Sequence, residues 1–273
     1  MIYKYILLLM LNFLLLGGCN TAPPIPLAPP TEPLTLAEAA PAVEEETVIP
    51  AEPLKKVYLT FDDGPNSYYT GQILDILRDY GIKASFAVLG VNIDKNPDVL
   101  RRIMDEGHGI INHSYSHDYK RVYSSPEAFL KELERCNESI ARVTGSGVKI
   151  FRAPGGPSNL NKKTLELLRQ HGYISISWNV ASADTDPNGV SKEQIVENVK
   201  RGILQIESLG KTPIVLMHDG TEINRSGAAP GSALANYIFN RESGVAALPE
   251  IIEFLMERNY TFAVVDENTP PAW

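Results

Sequence analysis

Two adjacent aspartates and two histidines four positions apart are the residues of this sequence with the clearest capacity for chemistry. Asp62 and Asp63 lie in the segment TFDDGP, and His113 and His117 lie in the segment NHSYSH. Neighbouring carboxylates on a tight turn can point in different directions, so that one binds a cation while the other accepts a proton from water. If a helix begins at His113, both imidazoles can reach the same ion.

One carboxylate and two imidazoles leave coordination positions open, which is expected of a catalytic metal site rather than a structural one. A metal ion in such a site makes its bound water acidic and polarises a carbonyl group. The H-x-x-x-H spacing alone is equally compatible with a chance pair on the surface. Its combination with the aspartate pair and with His218 favours metal-assisted hydrolysis.

The segments that must position these residues alternate between short apolar runs and stretches of helical period. We predict seven strands, over residues 57–61, 84–88, 108–112, 149–151, 173–178, 213–217 and 261–265. We predict six main helices, over residues 72–80, 99–106, 126–143, 162–170, 191–208 and 247–258. Apolar strands that alternate with helices predict an α/β protein with a parallel sheet buried on both faces.

Ionisable residues follow five of the predicted strands. The carboxyl ends of the strands of a β/α barrel meet on one face, where catalytic groups collect. The residues at these ends are Asp62, Asp63, His113, Arg152, Asp184 and His218. The pattern therefore predicts one active site at the carboxyl face of a barrel.

The first 54 residues have the composition of a targeting sequence followed by a linker. Residues 1–18 have one Lys near the start, an apolar run too short for a typical membrane span, and small residues, which predicts a secretory signal peptide. The sequence Leu-Gly-Gly before Cys19 resembles the bacterial lipoprotein signal, in which the Cys becomes the lipidated N-terminus. The alternative is an ordinary signal peptide that contains a Cys. Residues 19–54, dense in Pro, Ala and Glu, predict an extended linker before a folded domain at 55–273.

These features predict secretion across the cytoplasmic membrane and anchoring in the bacterial cell envelope through a lipid on Cys19. If Cys19 carries lipid, Cys136 has no partner, so we expect no disulfide and a buried structural thiol. A net charge of −8 does not indicate the basic surface that nucleic-acid binding requires, and we expect no nucleic-acid partner. We expect the protein to be a monomer.

Five segments occur in the order and spacing of the polysaccharide deacetylases, the family-four carbohydrate esterases that share the chitooligosaccharide deacetylase homology domain. They are TFDDGP, NHSYSH, FRAPGG, WNVASAD and IVLMHD. The resemblance covers about residues 55–270. It implies an irregular (β/α) barrel of about seven parallel strands, of the deacetylase type. It also implies a metal-dependent hydrolase that removes N-acetyl groups from an acetylated cell-envelope polysaccharide, either peptidoglycan or a chitin-like glycan, and releases acetate.

The resemblance implies a role for each residue of the metal-binding half of the site. Asp62 corresponds to the general base. Asp63, His113 and His117 correspond to the metal ligands, which usually hold zinc, although cobalt or nickel can substitute. Arg152 corresponds to the residue that orients and tunes the base.

The resemblance likewise implies the residues of the proton-donating half. His218 corresponds to the general acid, and Asp184 to the carboxylate that keeps it charged, since a nearby anion raises the pKa of an imidazole. The backbone amide of Gly155, next to Pro154, corresponds to the donor that holds the oxyanion. Leu216 corresponds to a residue that lines the pocket for the acetyl methyl group.

The sequence departs from the family pattern at several positions. Gly155 stands where a bulky aromatic residue is common, so a wall of the groove is expected to be lost. Ala181 and Thr185 stand where Asp and Trp are frequent. The segment 220–244, rich in Gly, Ser, Ala and Asn, predicts a long loop that forms a wall or lid for the substrate.

Three other functions compete with the deacetylase hypothesis. An O-acetyl esterase acting on xylan or another glycan would use the same site and would release acetate from esters but not from amides. A non-catalytic glycan-binding lipoprotein would have no need of the intact catalytic residues. A phosphatase of another α/β fold usually spaces its aspartates D-x-D and has no use for His113 and His117.

Overall fold

The computed structural model describes residues 55–273. The predicted signal peptide, Cys19 and the predicted linker lie outside the described residues. None of the helices in the described part combines the length and the apolar composition that a membrane crossing requires.

The described residues form one sheet in which every strand pair is parallel. The strands are β1 (Lys55–Asp62), β2 (Ser85–Val88), β3 (Gly109–Asn112), β4 (Ile150–Phe151), β5 (Ile174–Ser175), β6 (Val180–Ala181), β7 (Ile214–His218) and β8 (Tyr260–Phe262). Seven of them follow the spatial order β5-β4-β3-β2-β1-β7-β6, and β8 pairs with the start of β1. The sheet curls into a half-barrel with helices around it, which confirms the predicted fold class.

Strand β1 lies in the interior of the sheet, and its composition suits burial on both faces. Its residues from Val57 to Asp62 are all buried, and it pairs with β2, β7 and β8. A strand covered on both faces is a continuous apolar run rather than an alternating one. Apart from Asp62 at its end, the polar exception is Thr60, whose hydroxyl donates to the Val215 carbonyl at 2.6 Å and so satisfies its own buried polar group.

The predicted strand over 173–178 is wrong as a single element. Only β5 falls within it, pairing with β4 at one edge of the sheet, and a further strand, β6, follows beyond residue 178 and pairs with β7 at the other edge. The chain between them crosses from one edge to the other, where the Asn179 amide donates to the carbonyls of Thr212 and Ala272. Asp184 therefore follows β6, three residues after its end.

Eight α-helices accompany these strands in the described part of the chain. They are α1 (Tyr69–Asp79), α2 (Gly90–Ile93), α3 (Pro97–Asp105), α4 (Tyr119–Val122), α5 (Pro126–Thr144), α6 (Lys162–Gln170), α7 (Lys192–Ser208) and α8 (Ala233–Glu257). Five of the six predicted helices agree with the structure within three residues at each end. Cys136 lies fully buried on α5, as predicted, and burial raises the pKa of its thiol.

Helix α8 begins fourteen residues earlier than predicted, so the expected loop over 220–244 is wrong from residue 233 onward. Ser232 caps the helix by accepting a hydrogen bond from the Ala235 amide at 3.1 Å. The first half of α8 buries Asn240, Arg241 and Ser243. Because these buried residues are polar, the helical period of apolar residues is absent there, and the segment has the composition of a loop.

Candidate active site

The carboxyl ends of the central strands bring the predicted site residues together. The register of β1 and β7 places Asp62 opposite His218. The pairing of β3 with β4 ends one residue before His113 and Arg152, so these two residues follow neighbouring strand ends. On β7, Leu216 lies two residues before His218 and therefore on the same face of the strand, where it is buried.

Asp63, His113 and His117 form a triangle suited to a metal ion. Their ligand atoms lie within 4.8 Å of one another. The Asp63 Oδ1 atom is 3.5 Å from His113 Nε2 and 3.4 Å from His117 Nε2. This carboxylate oxygen is buried and has no hydrogen-bond partner among the described residues. A buried oxygen without a partner, facing two imidazole nitrogens, fits a divalent cation, and three protein ligands leave positions open for substrate and water.

The two histidines do not lie on a helical turn, so that expectation is wrong. Ser114 and His117 both have left-handed backbone conformations, with φ of 75° and 57°. Side chains hold this loop in place of a helical hydrogen-bond ladder. The Ser114 amide donates to Asn112 Oδ1 at 3.0 Å, and the His117 amide donates to Ser114 Oγ at 3.1 Å. Glu132 accepts from both the amide and the hydroxyl of Ser116 at 2.8 Å.

The neighbours of the triangle orient its members. His113 Nδ1 lies 2.9 Å from the Arg152 carbonyl and donates to it, which leaves the Nε2 lone pair facing Asp63. The Asp63 carbonyl accepts from the Asn92 side chain at 2.6 Å. Asn92 is buried and also bonds to Thr221, so it holds the turn after β1 and does not face the solvent.

Asp62 is buried beside a fully buried guanidinium. Arg152 Nη1 donates to Asp62 Oδ1 at 2.7 Å and to Thr60 Oγ1 at 2.8 Å, and Nη2 donates to the Ser177 carbonyl at 3.3 Å. The other carboxylate oxygen, Oδ2, lies 3.7 Å from His113 Nε2. One oxygen of Asp62 is therefore fixed by the arginine, while the other faces the metal triangle and can take a proton.

His218 and Asp184 form a second charged pair on the opposite side of Asp62. His218 Nδ1 lies 2.8 Å from Asp184 Oδ1, and the His218 amide donates to Asp184 Oδ2, also at 2.8 Å. Burial alone would raise the pKa of Asp184, but His218 and Arg241 outweigh it and lower this pKa to about 2. Burial alone would lower the pKa of His218, but Asp184 outweighs it, so the pKa of His218 is raised.

Arg241 is a buried residue of this site that the sequence reasoning missed. From α8 its guanidinium donates to the His218 carbonyl at 2.7 Å and to the Asp184 carbonyl, and it lies 3.7 Å from Asp184 Oδ2. The sequence did contain a pattern that predicts this burial. Going toward the N-terminus of the helix, its buried face continues at helical spacing through Leu248, Gly244, Arg241 and Tyr237.

Asp219 is a second residue that the sequence reasoning missed. It is fully buried, and its Oδ2 atom accepts from the Thr70 hydroxyl at 2.6 Å. Burial and the nearby Asp63 raise the pKa of Asp219 to about 7. A Cβ atom on Gly64 would overlap the Asp219 carboxyl group, so the turn after β1 requires glycine at that position.

The turn after β4 carries the residues predicted to hold the oxyanion. Pro154 is buried and Gly155 is exposed. Gly155 has a φ of 68°, in the left-handed region that favours glycine. A Cβ atom at Gly155 would overlap the Tyr119 hydroxyl, so the space that would hold a side chain at 155 is filled from α4.

Comparisons with known proteins agree with this fold. Residues 50–176 match the family model described as polysaccharide deacetylase. A chitooligosaccharide deacetylase of Rhizobium leguminosarum is 32% identical over 208 residues, covering 76% of this chain and 88% of the relative. A peptidoglycan-N-acetylglucosamine deacetylase of Bacillus cereus is 27% identical over 254 residues, covering 91% and 85%.

Solved structures show the same relationship. A polysaccharide deacetylase of Bacillus cereus superposes with a TM-score of 0.64 at 28% identity, covering 79% of this chain and 94% of that one. A CE4 esterase of Streptococcus mutans gives 0.66 at 27% identity, covering 78% and 87%. The chain belongs to the polysaccharide deacetylase family, and the predicted enzyme class, a polysaccharide deacetylase hydrolase, is confirmed.

We expect Asp184→Asn to change the pH profile of the enzyme. Asp184 raises the pKa of His218, so removing its charge makes His218 lose its proton at a lower pH. If His218 acts as an acid, the alkaline limb of kcat against pH then shifts toward lower pH, while the maximum rate falls. Asp186→Asn, an exposed carboxylate two residues away, serves as control. An alkaline limb that stays in place in Asp184→Asn would contradict this pairing.

We expect Arg241→Met to lower the free energy of unfolding by about 3 kcal/mol, because it removes one of the two cations beside the buried Asp184 carboxylate. Arg241→Lys keeps the charge but loses the planar fork that reaches two carbonyls, so a smaller loss is expected. Urea unfolding monitored by circular dichroism measures both losses. Arg201→Met, at an exposed site on α7, is the control. Equal stability of Arg241→Met and the control would contradict the structural role of Arg241.

Proposed function

We propose that this protein is a metal-dependent N-deacetylase that releases acetate from an acetylated glycan of the cell envelope. One observation carries the proposal. The Asp63–His113–His117 triangle, a buried carboxylate held by Arg152 and an imidazole held by Asp184 come together at the carboxyl ends of the central strands. A base and an acid thus accompany a set of metal ligands, which is the arrangement that amide hydrolysis requires.

Asp63, His113 and His117 are the residues that would hold the metal. Nitrogen and carboxylate donors in a three-residue set favour zinc, and cobalt and nickel accept the same donors. When bound, such an ion polarises the acetyl carbonyl and makes water more acidic.

The chain's own residues supply the remaining steps. Asp62, with one oxygen fixed by Arg152, removes a proton from the attacking water through its other oxygen. The Gly155 N–H donates to the oxygen that becomes negatively charged as water adds to the carbonyl carbon. His218 donates a proton from Nε2 to the amide nitrogen as the carbon–nitrogen bond breaks. The products are acetate and the free amine of the sugar.

The neighbouring residues fit an acetyl group. Leu216 lies on the same face of β7 as His218 and supplies an apolar surface for the methyl group, with Pro154 next to the oxyanion amide. The names of the relatives favour N-acetylglucosamine polymers, peptidoglycan or chitin-like, as the substrate class. The proposed envelope anchor favours peptidoglycan between these two.

We expect the full-length protein to release acetate from peptidoglycan and from N-acetylglucosamine oligomers, and we expect a chelator to abolish this release until zinc, cobalt or nickel is added back. Enzymatic assay of acetate provides the measurement, with acetylxylan as a parallel substrate. Release from acetylxylan alone would identify an O-acetyl esterase. No release from any of these substrates by the metal-loaded protein would favour a glycan-binding role and overturn the proposal.

We expect Asp62→Asn to reduce kcat by about a hundredfold to ten-thousandfold, the usual contribution of a general base, while metal binding is unchanged. Metal content measured by atomic absorption and a thermal melt separate loss of the base from loss of the site. Asp98→Asn, on the exposed surface of α3, is the matched control. Turnover close to that of the control would refute the assignment of Asp62.

We also propose that a lipid on Cys19 anchors the protein after secretion, on the strength of the Leu-Gly-Gly-Cys sequence at the end of the apolar run. We expect Cys19→Ala to abolish incorporation of labelled fatty acid and to move the protein from the membrane fraction to the soluble fraction. Cys136→Ala, at the buried thiol, should leave the protein in the membrane fraction. A Cys19→Ala protein that still carries label would disprove the anchor.

A further inference from the structure

The short helix α4 places an exposed aromatic ring over the turn that carries Gly155. Tyr119, its first residue, is 47% exposed. Its ring meets the ring of His117 edge to face, with centroids 5.4 Å apart. Its hydroxyl fills the space in which a Cβ atom of Gly155 would lie. The ring therefore stands beside a proposed metal ligand and beside the proposed oxyanion donor at once.

An exposed ring in this position has the properties of a sugar-binding wall. Tyrosine offers a large flat apolar surface together with one polar atom, at a low cost in conformational entropy. Pyranose rings present patches of C–H groups that pack on such a surface. An acetyl group that reaches the metal triangle would bring the attached sugar ring close to Tyr119.

Tyr123, the residue after α4, contacts the same turn in a different way. Its hydroxyl donates to the Pro154 carbonyl at 2.6 Å, and Asn159 Nδ2 donates to the same oxygen at 3.2 Å. The Pro154 carbonyl and the Gly155 N–H belong to one planar trans peptide group, so they point in opposite directions. Hydrogen bonds that fix the carbonyl therefore fix the direction of the N–H.

The ring of Tyr123 is held by the core. It lies 5.7 Å from the ring of Tyr119 and 5.5 Å from the ring of Phe129, which is fully buried. Phe129 in turn contacts Phe151 of β4 at 5.7 Å. The hydroxyl of Tyr123 is thus placed by packed rings rather than by a mobile side chain, and it can hold the Pro154–Gly155 peptide in one orientation.

We infer that Tyr119, the first residue of α4, and Tyr123, the residue after it, have two separate roles in the reaction. Tyr119 is the wall of the subsite that binds the acetamido sugar whose acetyl group is removed, and it determines specificity. Tyr123 is a positioning residue that aims the Gly155 N–H at the developing oxyanion. The inference rests on the proposed function.

Measurements on two substrates distinguish the sugar-binding role of Tyr119 from the positioning role of Tyr123. N-acetylglucosamine oligomers present a sugar ring, whereas 4-nitrophenyl acetate presents an acetyl group without one. An oxyanion forms during hydrolysis of both. A defect in the sugar wall affects only the oligomer, and a defect in the oxyanion donor affects both substrates.

We expect Tyr119→Leu, which keeps an apolar side chain but removes the ring, to raise KM for the oligomers about tenfold, in line with the strength of aromatic contacts. Its kcat/KM for 4-nitrophenyl acetate should stay within about twofold of the wild-type value. Equal losses on both substrates, or an unchanged KM for the oligomers, would overturn the role of Tyr119.

We expect Tyr123→Phe to lower kcat on both substrates about tenfold with KM and metal content unchanged, a smaller loss than removal of an oxyanion donor itself causes. Asn159→Ala, at an exposed site, should lower kcat in the same way but less, and it tests the inference if Tyr123→Phe does not fold. Tyr80→Phe, which loses a hydroxyl bond to Glu253 on the surface, is the control.

Unchanged kcat in both Tyr123→Phe and Asn159→Ala would overturn the positioning role. The outcomes also separate this inference from the proposed function. A wild-type protein that releases no acetate from the oligomers contradicts the proposed function, and the inference falls with it. A wild-type protein that is active, with variants that behave like Tyr80→Phe, contradicts only the inference.

Discussion

The buried guanidinium of Arg152 is the interaction on which the rest of the site depends. Its side chain bonds to Asp62 and Thr60 on β1 and to the Ser177 carbonyl in the segment that crosses between the sheet edges. Its own carbonyl accepts from His113. A charge removed from water must find such partners, because its desolvation would otherwise cost several kcal/mol. The requirement to satisfy this one cation brings the ends of β1, β3 and β4 into a single geometry.

A second buried arginine compensates a buried carboxylate in the half of the site that contains His218. Arg241 on α8 compensates the Asp184 carboxylate and holds the backbone on both sides of the Asp184–His218 pair. Asp62 and Asp184 thus each have an arginine partner, whereas Asp63 has histidine neighbours and one oxygen without a hydrogen bond among the described residues. This contrast marks Asp63 as the carboxylate left available for an external cation.

Much of this arrangement could be predicted from the sequence because its causes are local. Strands buried on both faces are continuous apolar runs, and Asp62, His113 and His218 directly follow or end such runs, so their meeting point follows from the parallel sheet. The missed features have non-local causes. Arg241 was hidden because α8 buries polar residues against Asp184, and the split between β5 and β6 depends on which edge strands are free to pair. The left-handed residues Ser114 and His117 depend on side-chain bonds within and beyond the loop, from the Ser114 amide to Asn112, from the His117 amide to Ser114 and from Ser116 to Glu132.

The two halves of the site come from separate stretches of the chain. Asp62, Asp63, His113, His117 and Arg152 all precede residue 153, whereas Asp184, His218 and Arg241 lie in the last third of the sequence. The metal triangle takes no ligand from the later stretch. A change confined to α8 can therefore disturb the Asp184–His218 pair, the proposed proton donor, while the ligands and the tyrosines beside them stay intact. Loss of the proposed proton donor through such a change would leave a protein that still binds its polymer but no longer cleaves acetyl groups from it.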